Sequence, residues 1–406
     1  MNFSTANIIT FGCRLNACES DLIKDFAKEL GIVDFTLINT CAVTDEAERK
    51  LRQTIRRLYG ENPNVKIILT GCASELHPDR YIKMDGVAGI ISNKTKLSKS
   101  EYLKYASNVS VSATSGRRKV RGFLQIQNGC DQKCTYCIVR LTRGNNVSFS
   151  KDEIVNQAKR LLNKGYKEII LTGVNISSYG KDLDPKQNLA FIVRYILNCI
   201  PELTRLGLSS LDPADVDDDL INLIGSEEKL LPHIHESVQS GDNMILKRMM
   251  RRHNREQVIE INEKILSLRP DVVFGADIIV GFPTETDEMF KNTKRFLEEA
   301  RLSRLHIFPF SKRPGTAASL MPNVEKKIAL ARARELKTMA DDIFLKKLSE
   351  QIGKNLTILA EDQINAKTNS FLPARSLEKL TVGKEYLFRC EYVDKKAIIG
   401  RPIEER

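Results

Sequence analysis

The chain has 406 residues, of which 42% are hydrophobic, and carries a net charge of +11. A chain of this length exceeds what one hydrophobic core usually serves, so two or three domains are expected. The sequence contains no run of about 18 apolar residues, and its start lacks the basic and apolar stretches of a secretory signal. We therefore expect a folded, cytoplasmic protein without a membrane segment.

The excess of basic residues favours a polyanionic partner, because clustered Lys and Arg gain free energy when they displace phosphate counterions. The alternative is that each cluster is only a solvated helix face. Three basic clusters are visible: Arg49, Lys50, Arg52, Arg56 and Arg57; Arg117, Arg118, Lys119 and Arg121; and Lys247, Arg248, Arg251, Arg252 and Arg255. The second cluster stands just before a cysteine-rich loop, a position that favours a nucleic-acid substrate.

The first third of the chain predicts repeated strand-helix units. Apolar runs at residues 8–11, 35–38 and 65–69 are typical of buried strands, and residues 45–59 have helical polarity. Each strand leads directly to a cysteine: Cys13, Cys41 and Cys72. Because ligands gather at the carboxyl ends of parallel strands, we expect these three cysteines to form one site. The alternative is three separate small buried residues.

Three further cysteines, Cys130, Cys134 and Cys137, follow the next predicted strand with C-x3-C-x2-C spacing. Three thiolates this close can ligate three irons of a cubane cluster and leave the fourth iron open for chemistry. A structural zinc site is the alternative, but zinc usually takes four Cys or His ligands and no fourth one lies near this loop. The spacing therefore favours an iron-sulfur cluster.

The rest of the chain predicts two more domains. Small polar residues at 112–116 suggest a linker. Residues 117–348 then alternate helical segments with six strand signals, at 122–127, 168–172, 205–209, 233–238, 272–280 and 304–308. This pattern indicates a partial (β/α)6 barrel with its active site at the carboxyl ends of the strands. A long charged helix is predicted at 326–351. Short strands predicted at 356–360, 370–374, 385–392 and 397–400 suit a small β-barrel. The predicted domains are residues 1–112, 117–348 and 350–406.

With these features, the chain resembles the radical S-adenosylmethionine (SAM) methylthiotransferases from end to end. The resemblance implies an α/β fold with an N-terminal open parallel-sheet domain, a central radical SAM partial barrel and a C-terminal TRAM β-barrel. It also implies two 4Fe-4S clusters. Cys130, Cys134 and Cys137 would hold the catalytic cluster that binds SAM, and Cys13, Cys41 and Cys72 would hold an auxiliary cluster.

Several short motifs match the family in order and imply further site residues. The implied SAM contacts are Gly173 and Asn175 in Leu171-Thr-Gly-Val-Asn175, Ser210 and Asp212 in Ser209-Ser-Leu-Asp-Pro213, Gln239 in Gln239-Ser-Gly241, and Asp277 in Asp277-Ile-Ile-Val-Gly-Phe-Pro283. Arg143 and Arg251 are the candidate substrate contacts. Taken singly, each motif also has an ordinary structural interpretation, such as a loop glycine or a buried turn acid. Asp212 stands where the family usually has Glu, and Thr284 where it usually has Gly.

The resemblance implies transfer of a methylthio group by radical chemistry that uses two molecules of SAM. The segment Asn39-Thr-Cys-Ala-Val-Thr44 resembles the branch that modifies C2 of N6-threonylcarbamoyladenosine at position 37 of tRNA. Alternatives are isopentenyladenosine in tRNA, a ribosomal protein or, in another class, a non-catalytic metal-binding protein that binds RNA. The implied partners are a tRNA anticodon stem-loop, an electron donor such as flavodoxin or ferredoxin, and a sulfur source.

Overall fold

The computed structural model describes residues 7–32, 35–104 and 120–406. These residues form two compact units, and the described part of unit 1 comprises residues 7–32, 35–104, 128–133 and 137–147. The described part of unit 2 comprises residues 120–127, 134–136 and 148–406. The predicted linker at 112–116 and the basic residues Arg117, Arg118 and Lys119 lie outside the described residues, so the predicted domain boundary there stays a prediction.

Unit 1 contains a four-stranded parallel sheet with the order β1-β2-β3-β4. Its elements in chain order are β1 (Asn7–Thr10), α1 (Arg14–Glu29), β2 (Thr36–Thr40), α2 (Asp45–Glu61), β3 (Ile67–Gly71), α3 (Cys72–Leu76), α4 (Pro78–Tyr81), β4 (Val87–Ile91) and α5 (Lys99–Leu103). The two central strands, β2 and β3, are buried along their whole length. This sheet confirms the predicted open parallel-sheet domain.

Helix α2 illustrates how the sequence sets these elements. The Thr44 side chain accepts a hydrogen bond from the Ala47 backbone N–H at 3.2 Å and so caps the start of the helix. Acidic residues in the first turn interact favourably with the positive end of the helix dipole. Leu51 and Ile55 recur at helical spacing and pack against Ile38 and Leu69 of the sheet. The basic residues of α2 therefore occupy its other faces, and Arg49 pairs with Glu46 in the exposed part of the helix.

Unit 2 begins with strand-helix repeats that form the central partial barrel. The elements from residue 121 onward are β5 (Arg121–Gln125), β6 (Gln127–Asn128), α6 (Val139–Arg143), β7 (Val147–Ser148), α7 (Lys151–Asn163), β8 (Glu168–Thr172), α8 (Leu189–Cys199), β9 (Leu206–Leu208), β10 (Ser210–Leu211), α9 (Asp218–Ser226), β11 (His233–Gln239), α10 (Asn243–Arg248), α11 (Arg255–Leu268), β12 (Val273–Val280), α12 (Asp287–Glu299), β13 (Leu302–Pro309) and α13 (Lys326–Ser349). Of these, α6 lies in unit 1.

The barrel strands are parallel and form two sheets, β5-β8-β9 and β10-β11-β12-β13. The third of the six predicted strands, at 205–209, is interrupted at Ser209, so that it forms two short strands, β9 and β10. Helices α7, α8, α9, α11 and α12 contribute to one apolar core with the strands. The predicted radical SAM partial barrel is confirmed.

The C-terminal part of unit 2 is a closed five-stranded barrel with the order β14-β15-β16-β18-β17. Its strands are β14 (Asn355–Ala360), β15 (Asn365–Thr368), β16 (Pro373–Ser376), β17 (Glu385–Val393) and β18 (Ile398–Glu405). Phe388, Ile358 and Ile398 are fully buried inside it. The predicted small β-barrel is confirmed, although β15 had no counterpart in the predicted strands.

The loop between β15 and β16 packs on the central barrel. Phe371 is 6% exposed and lies 4.9 Å from the His233 ring and 4.7 Å from the Arg121 guanidinium. Its backbone C=O accepts a hydrogen bond from Arg304 at 2.7 Å. Arg121 and His233 are the first residues of β5 and β11, so this loop covers the amino ends of barrel strands. The carboxyl ends remain available for a site.

In the described part of the chain, no helix combines the length and apolar character needed to cross a membrane.

Candidate functional site

The three cysteines of unit 1 follow adjacent parallel strands. Thr40 of β2 pairs with Gly71 of β3, and the next residues are Cys41 and Cys72. Gly12 has φ +97°, and a Cβ there would lie 2.8 Å from the Cys41 sulfur, so the turn that carries Cys13 packs directly on Cys41. The sheet therefore brings Cys13, Cys41 and Cys72 to one edge, as the sequence predicted.

A buried group of charges lies behind these cysteines. Glu19 and Lys96 are fully buried, Arg143 is 9% exposed, and Glu19 accepts hydrogen bonds from Lys96 at 2.5 Å and from Arg143 at 2.7 Å. Arg143 also donates to Asn16 Oδ1 at 2.7 Å, and the Cys13 thiol lies 3.9 Å from the same oxygen. Arg143 thus connects the helix after the cysteine loop to the turn that carries Cys13.

The charges in this group determine its protonation. Burial alone would raise the pKa of Glu19, but the Lys96 and Arg143 cations outweigh it and lower that pKa. Burial would lower the pKa of Arg143, whereas the charges of Glu19 and Cys72, together with that of Cys13, raise it. Burial and the charge of Arg143 lower the pKa of Lys96, against the opposing effect of Glu19. Two basic side chains thus face one carboxylate in a buried region within electrostatic reach of the cysteine sulfurs. That surplus of positive charge suits an anionic thiolate-ligated cluster.

The C-x3-C-x2-C loop is held differently along its length. In unit 1, the Cys130 N–H donates to the Gly144 C=O at 3.0 Å, and Gly129 has φ +68° with no room for a Cβ against the Asn145 carbonyl. In unit 2, Thr135 donates from its N–H to the Met249 C=O at 3.1 Å and from its hydroxyl to the Arg248 C=O at 2.8 Å. These bonds fix the backbone on both sides of Cys134.

Arg251 contacts the sulfur of Cys134. Its Nη1 lies 3.5 Å from that sulfur, and its Nη2 donates to Asp212 Oδ1 at 2.9 Å and to the Ser237 C=O at 2.7 Å. Burial would raise the pKa of Asp212, but the hydrogen bond from His253 and the charge of Arg251 lower it to about 2. The carboxylate is therefore ionised and fixes a guanidinium against the cysteine.

The predicted SAM contacts lie on unit 2, most of them at carboxyl ends of barrel strands. Gly173 and Asn175 follow β8, and a Cβ on Gly173 would meet Gln127 Oε1 at 2.8 Å. That oxygen accepts from the Asn175 N–H at 2.9 Å. Asp212 follows β10, and the Ser210 hydroxyl donates to Ser237 Oγ at 3.3 Å. These residues stand where a barrel places its ligand.

The remaining two predicted SAM contacts differ from each other. Gln239 ends β11 with φ +77°, a left-handed conformation that is rare outside glycine and marks a position held by its surroundings. Asp277 lies in the middle of β12 and is hydrogen-bonded by His235 and His306. His306 was missing from the sequence-predicted site, because only the register of β12 and β13 reveals that it faces Asp277.

The two predicted substrate contacts are hydrogen-bonded within their own units: Arg143 is buried, and Arg251 is half-buried with a side chain that is 6% exposed. Their role as RNA contacts stays a prediction. Lys96 and Glu19, which complete the charge group around Arg143, were also missed. Neither residue stands in a motif, and the spacing of 77 residues between them carries no sequence signal.

Comparisons with known proteins agree with this geometry. A protein-family model described as the radical SAM superfamily matches residues 124–297. A second family model, described as uncharacterized protein family UPF0004, matches residues 5–92. A threonylcarbamoyladenosine tRNA methylthiotransferase (MtaB) of Rickettsia prowazekii is 42% identical over 95% of this chain and 94% of its own. The MtaB of Thermotoga maritima is 36% identical over 88% and 86%.

A further curated protein and a solved structure are also similar to this chain. A tRNA-2-methylthio-N(6)-dimethylallyladenosine synthase of Pelagibacter ubique is 31% identical over 88% of this chain and 86% of its own. Among solved structures, the radical SAM methyltransferase TsrM of Kitasatospora setae matches with a TM-score of 0.52 at 13% identity, over 76% of this chain and 69% of that one. At that identity the likeness concerns the fold alone.

Proposed function

Because this chain belongs to the radical SAM tRNA methylthiotransferases, an enzyme family that uses SAM and 4Fe-4S clusters, we propose that it transfers a methylthio group to C2 of N6-threonylcarbamoyladenosine in tRNA. The observation that carries the proposal is the presence of two separate three-cysteine sets on the confirmed fold. One set follows a barrel strand, and the other lies at the edge of the N-terminal sheet. A radical SAM enzyme with a single cluster needs only the set that follows the barrel strand, so the second set indicates a second cluster.

The cysteines supply the ligands for both clusters. Cys130, Cys134 and Cys137 hold the cluster that binds SAM, and Cys13, Cys41 and Cys72 hold the auxiliary cluster. When bound, the first cluster with SAM would supply radical chemistry, and the auxiliary cluster would supply sulfur-transfer chemistry. Arg251, fixed by Asp212, supports the thiolate of Cys134, and the buried cations Lys96 and Arg143 balance the charge of the auxiliary site.

The polar groups after β8, β10 and β11 form the SAM-binding side of the barrel. Gly173 allows close approach of the backbone, and Asn175, Ser210, Asp212 and Gln239 offer polar groups to the cofactor. Asp277 belongs to the same predicted set. Their task is to orient the cofactor and keep water from the reacting atoms.

The substrate is assigned to the threonylcarbamoyladenosine branch because the segment from Asn39 to Thr44 resembles that branch and the two MtaB relatives are more similar than the dimethylallyladenosine synthase. The partner is the tRNA anticodon stem-loop in the cytoplasm, with the C-terminal barrel acting as a TRAM RNA-binding domain. Bases of such loops can be unstacked and bound at their edges. A flavodoxin or ferredoxin supplies electrons, and a separate sulfur source restores the transferred sulfur.

The first test separates the two cysteine sets in anaerobically reconstituted protein. We expect close to eight irons per chain by the two-cluster proposal. Cys134→Ala should abolish formation of 5′-deoxyadenosine from SAM, whereas Cys41→Ala should retain it and stop methylthiolation. Cys199→Ala is the matched control, because Cys199 lies on α8 outside both sets and should behave like the wild type. Stoichiometric zinc without 5′-deoxyadenosine would instead support a non-catalytic metal-binding protein.

The second test concerns the substrate. Nucleosides from cells with and without this protein are compared by mass spectrometry. Loss of the 2-methylthio group from N6-threonylcarbamoyladenosine is the expected result. Loss of the same group from isopentenyladenosine, with threonylcarbamoyladenosine unchanged, would place the enzyme in the other tRNA branch.

A further inference from the structure

Three metal-ligating side chains meet on neighbouring strands of the central barrel. His235 of β11 and His306 of β13 both hydrogen-bond Asp277 Oδ1 of β12, each at 3.0 Å. The ligand atoms of the three residues all lie within 4.8 Å of one another. Two of the five histidines in the chain thus contact one carboxylate oxygen.

The strand register builds this arrangement. Asp277 and His306 are direct partners on β12 and β13, and His235 pairs with Gly275, two residues before Asp277 on the same face of β12. A Cβ on Gly275 would lie 2.8 Å from His235 Nδ1 and 2.7 Å from the Arg304 carbonyl. Glycine at that position leaves room for the His235 ring, so the backbone is shaped around the imidazole.

The Asp277 side chain is 27% exposed, and both of its imidazole partners bond the same carboxylate oxygen. Within residues 120–406, no Lys or Arg forms an ion pair with it, and its hydrogen bonds come from the two imidazoles alone. The two rings reach this carboxylate from the strands on either side of β12.

The separations fit a metal coordination shell. Ligand atoms about 2.1 Å from a metal and at right angles to one another lie about 3.0 Å apart, and the two His-Asp separations are 3.0 Å. The third separation can close by rotation of the His306 ring, whose side chain is 55% exposed. Two imidazoles and one carboxylate on one side of a metal leave its other positions open, an arrangement that suits divalent transition metals.

We propose that His235, Asp277 and His306 bind one divalent transition-metal ion whose open positions take oxygen donors of the substrate. This inference rests on the proposed function, because the threonylcarbamoyl group carries a carboxylate and a hydroxyl, whereas an isopentenyl group carries neither. A divalent ion on one Asp leaves a net positive charge that attracts that carboxylate. Without a metal, the Asp277 carboxylate would repel it.

The position of the metal suits a substrate contact. His235 stands two residues before Ser237 on the same face of β11, a separation of about 7 Å along a strand. The Ser237 carbonyl accepts a hydrogen bond from Arg251, which itself contacts Cys134. The metal therefore lies on the same strand as the residues that support the predicted catalytic cluster. For Asp277, this proposal assigns metal ligation in place of the direct SAM contact that was given above for the predicted set.

The first experiment measures Mn²⁺ binding to the cluster-loaded protein without SAM or RNA. Mn²⁺ prefers oxygen and nitrogen over thiolates, so the cysteines do not compete for it. Titration followed by loss of the free-ion EPR signal should give one site per chain, with nitrogen couplings from two imidazoles. Asp277→Asn should abolish the site, and His306→Ala should weaken binding and remove one imidazole coupling. His77→Ala, in unit 1, should leave both unchanged.

His306→Ala keeps the experiment interpretable, because the side chain is more than half exposed and the variant should fold. Equal Mn²⁺ binding in His306→Ala and the wild type would overturn the metal site. A wild-type protein that binds no Mn²⁺ while it methylthiolates threonylcarbamoyladenosine would also overturn it and leave the proposed function intact.

The second experiment tests the substrate contact by binding rather than by activity. Two anticodon stem-loops are compared, one with threonylcarbamoyladenosine and one with unmodified adenosine. Saturating Mn²⁺ should tighten binding of the modified stem-loop by about tenfold, equivalent to one additional charged contact, and leave the unmodified one unchanged. An equal effect on both RNAs would mean that the ion acts on the phosphate backbone and would overturn the assignment of the open positions.

Discussion

Glu19 in unit 1 and Glu236 in unit 2 are equally buried glutamates with opposite protonation. Glu19 is 0% exposed, and two cations outweigh the effect of burial and lower its pKa. Glu236 is 1% exposed, and burial raises its pKa to about 8, against one hydrogen bond from Asn262. Burial therefore favours a neutral carboxyl group, and bonded cations decide whether the group ionises.

Glu19 and Glu236 have different roles because their hydrogen-bond partners differ. The ionised Glu19 organises Lys96 and Arg143 beside the auxiliary cysteines. Glu236 lies on the strand that carries His235, and its carboxyl group packs against α11 through Asn262. No Lys or Arg among the described residues forms an ion pair with it. One glutamate is part of a charged site, and the other is a neutral part of the core.

The largest expected effect comes from removing a cation from Glu19. Arg143→Ala leaves a buried carboxylate with one cation and should destabilise unit 1 by about 3–5 kcal/mol. Arg143→Lys keeps the charge but loses part of the bidentate contact with Glu19. This variant should therefore lower the free energy of unfolding by about 1–2 kcal/mol. Denaturant unfolding measures both. Unchanged stability in Arg143→Ala, with weaker RNA binding, would instead support the predicted substrate contact.

A smaller and pH-dependent effect is expected at Glu236. Above the unfolded-state pKa of 4.5, the unfolded chain releases the proton that the folded protein keeps until about pH 8. Stability should therefore fall as pH rises from 4.5 to 8. Glu236→Gln should match the wild type at pH 4.5 and exceed it by about 2–4 kcal/mol at pH 8.

Thermal unfolding of the Glu236→Gln variant at the two pH values measures this difference. Glu263→Gln is the matched control, because Glu263 is an exposed residue of α11. A gain that is the same at both pH values would mean that Glu236 is ionised in the folded protein. The contrast with Glu19 would then be lost.

The smallest effect on stability is expected at Arg251. Arg251→Lys retains a positive charge near Asp212, which also has Arg252 at 3.4 Å, so the cost should be about 1 kcal/mol. Loss of the guanidinium contact with the Cys134 sulfur should make the reduction potential of the catalytic cluster more negative, because hydrogen bonds to sulfur favour the reduced state. EPR-monitored redox titration in a Cys41→Ala background isolates that cluster. An unchanged potential would argue for an RNA role of Arg251.

The sequence predicted the parts of this fold that depend on local pattern. The strand-end cysteines repeat at intervals of about 30 residues, so the sequence alone could predict that they form a set. The apolar runs and helical segments likewise predict the six strands of the barrel. Strand β15 was missed because Asn365-Ala-Lys-Thr368 has little apolar character and is defined by its barrel neighbours. The strand predicted at 370–374 begins instead at Pro373, because Phe371 adopts φ +62°.

The charged parts of the site depend on contacts that the sequence does not reveal. Arg143 and Arg251 belong to polar, basic segments, and nothing local distinguishes a guanidinium that contacts RNA from one that pairs with a buried acid. Glu19 lies 124 residues from Arg143, and Asp212 lies 39 residues from Arg251. His306 likewise acquires its partner only through strand register.

The contact of Phe371 has a consequence for biosynthesis. A ribosome completes all six strand places of the central barrel before it reaches residue 371, so the amino ends of β5 and β11 stay uncovered during that interval. Ile170 and Leu231, which pack on Phe371 in the finished protein, are then open to chaperones or to other nascent chains. A β-barrel that is translated after the central barrel thus covers apolar residues of that earlier barrel.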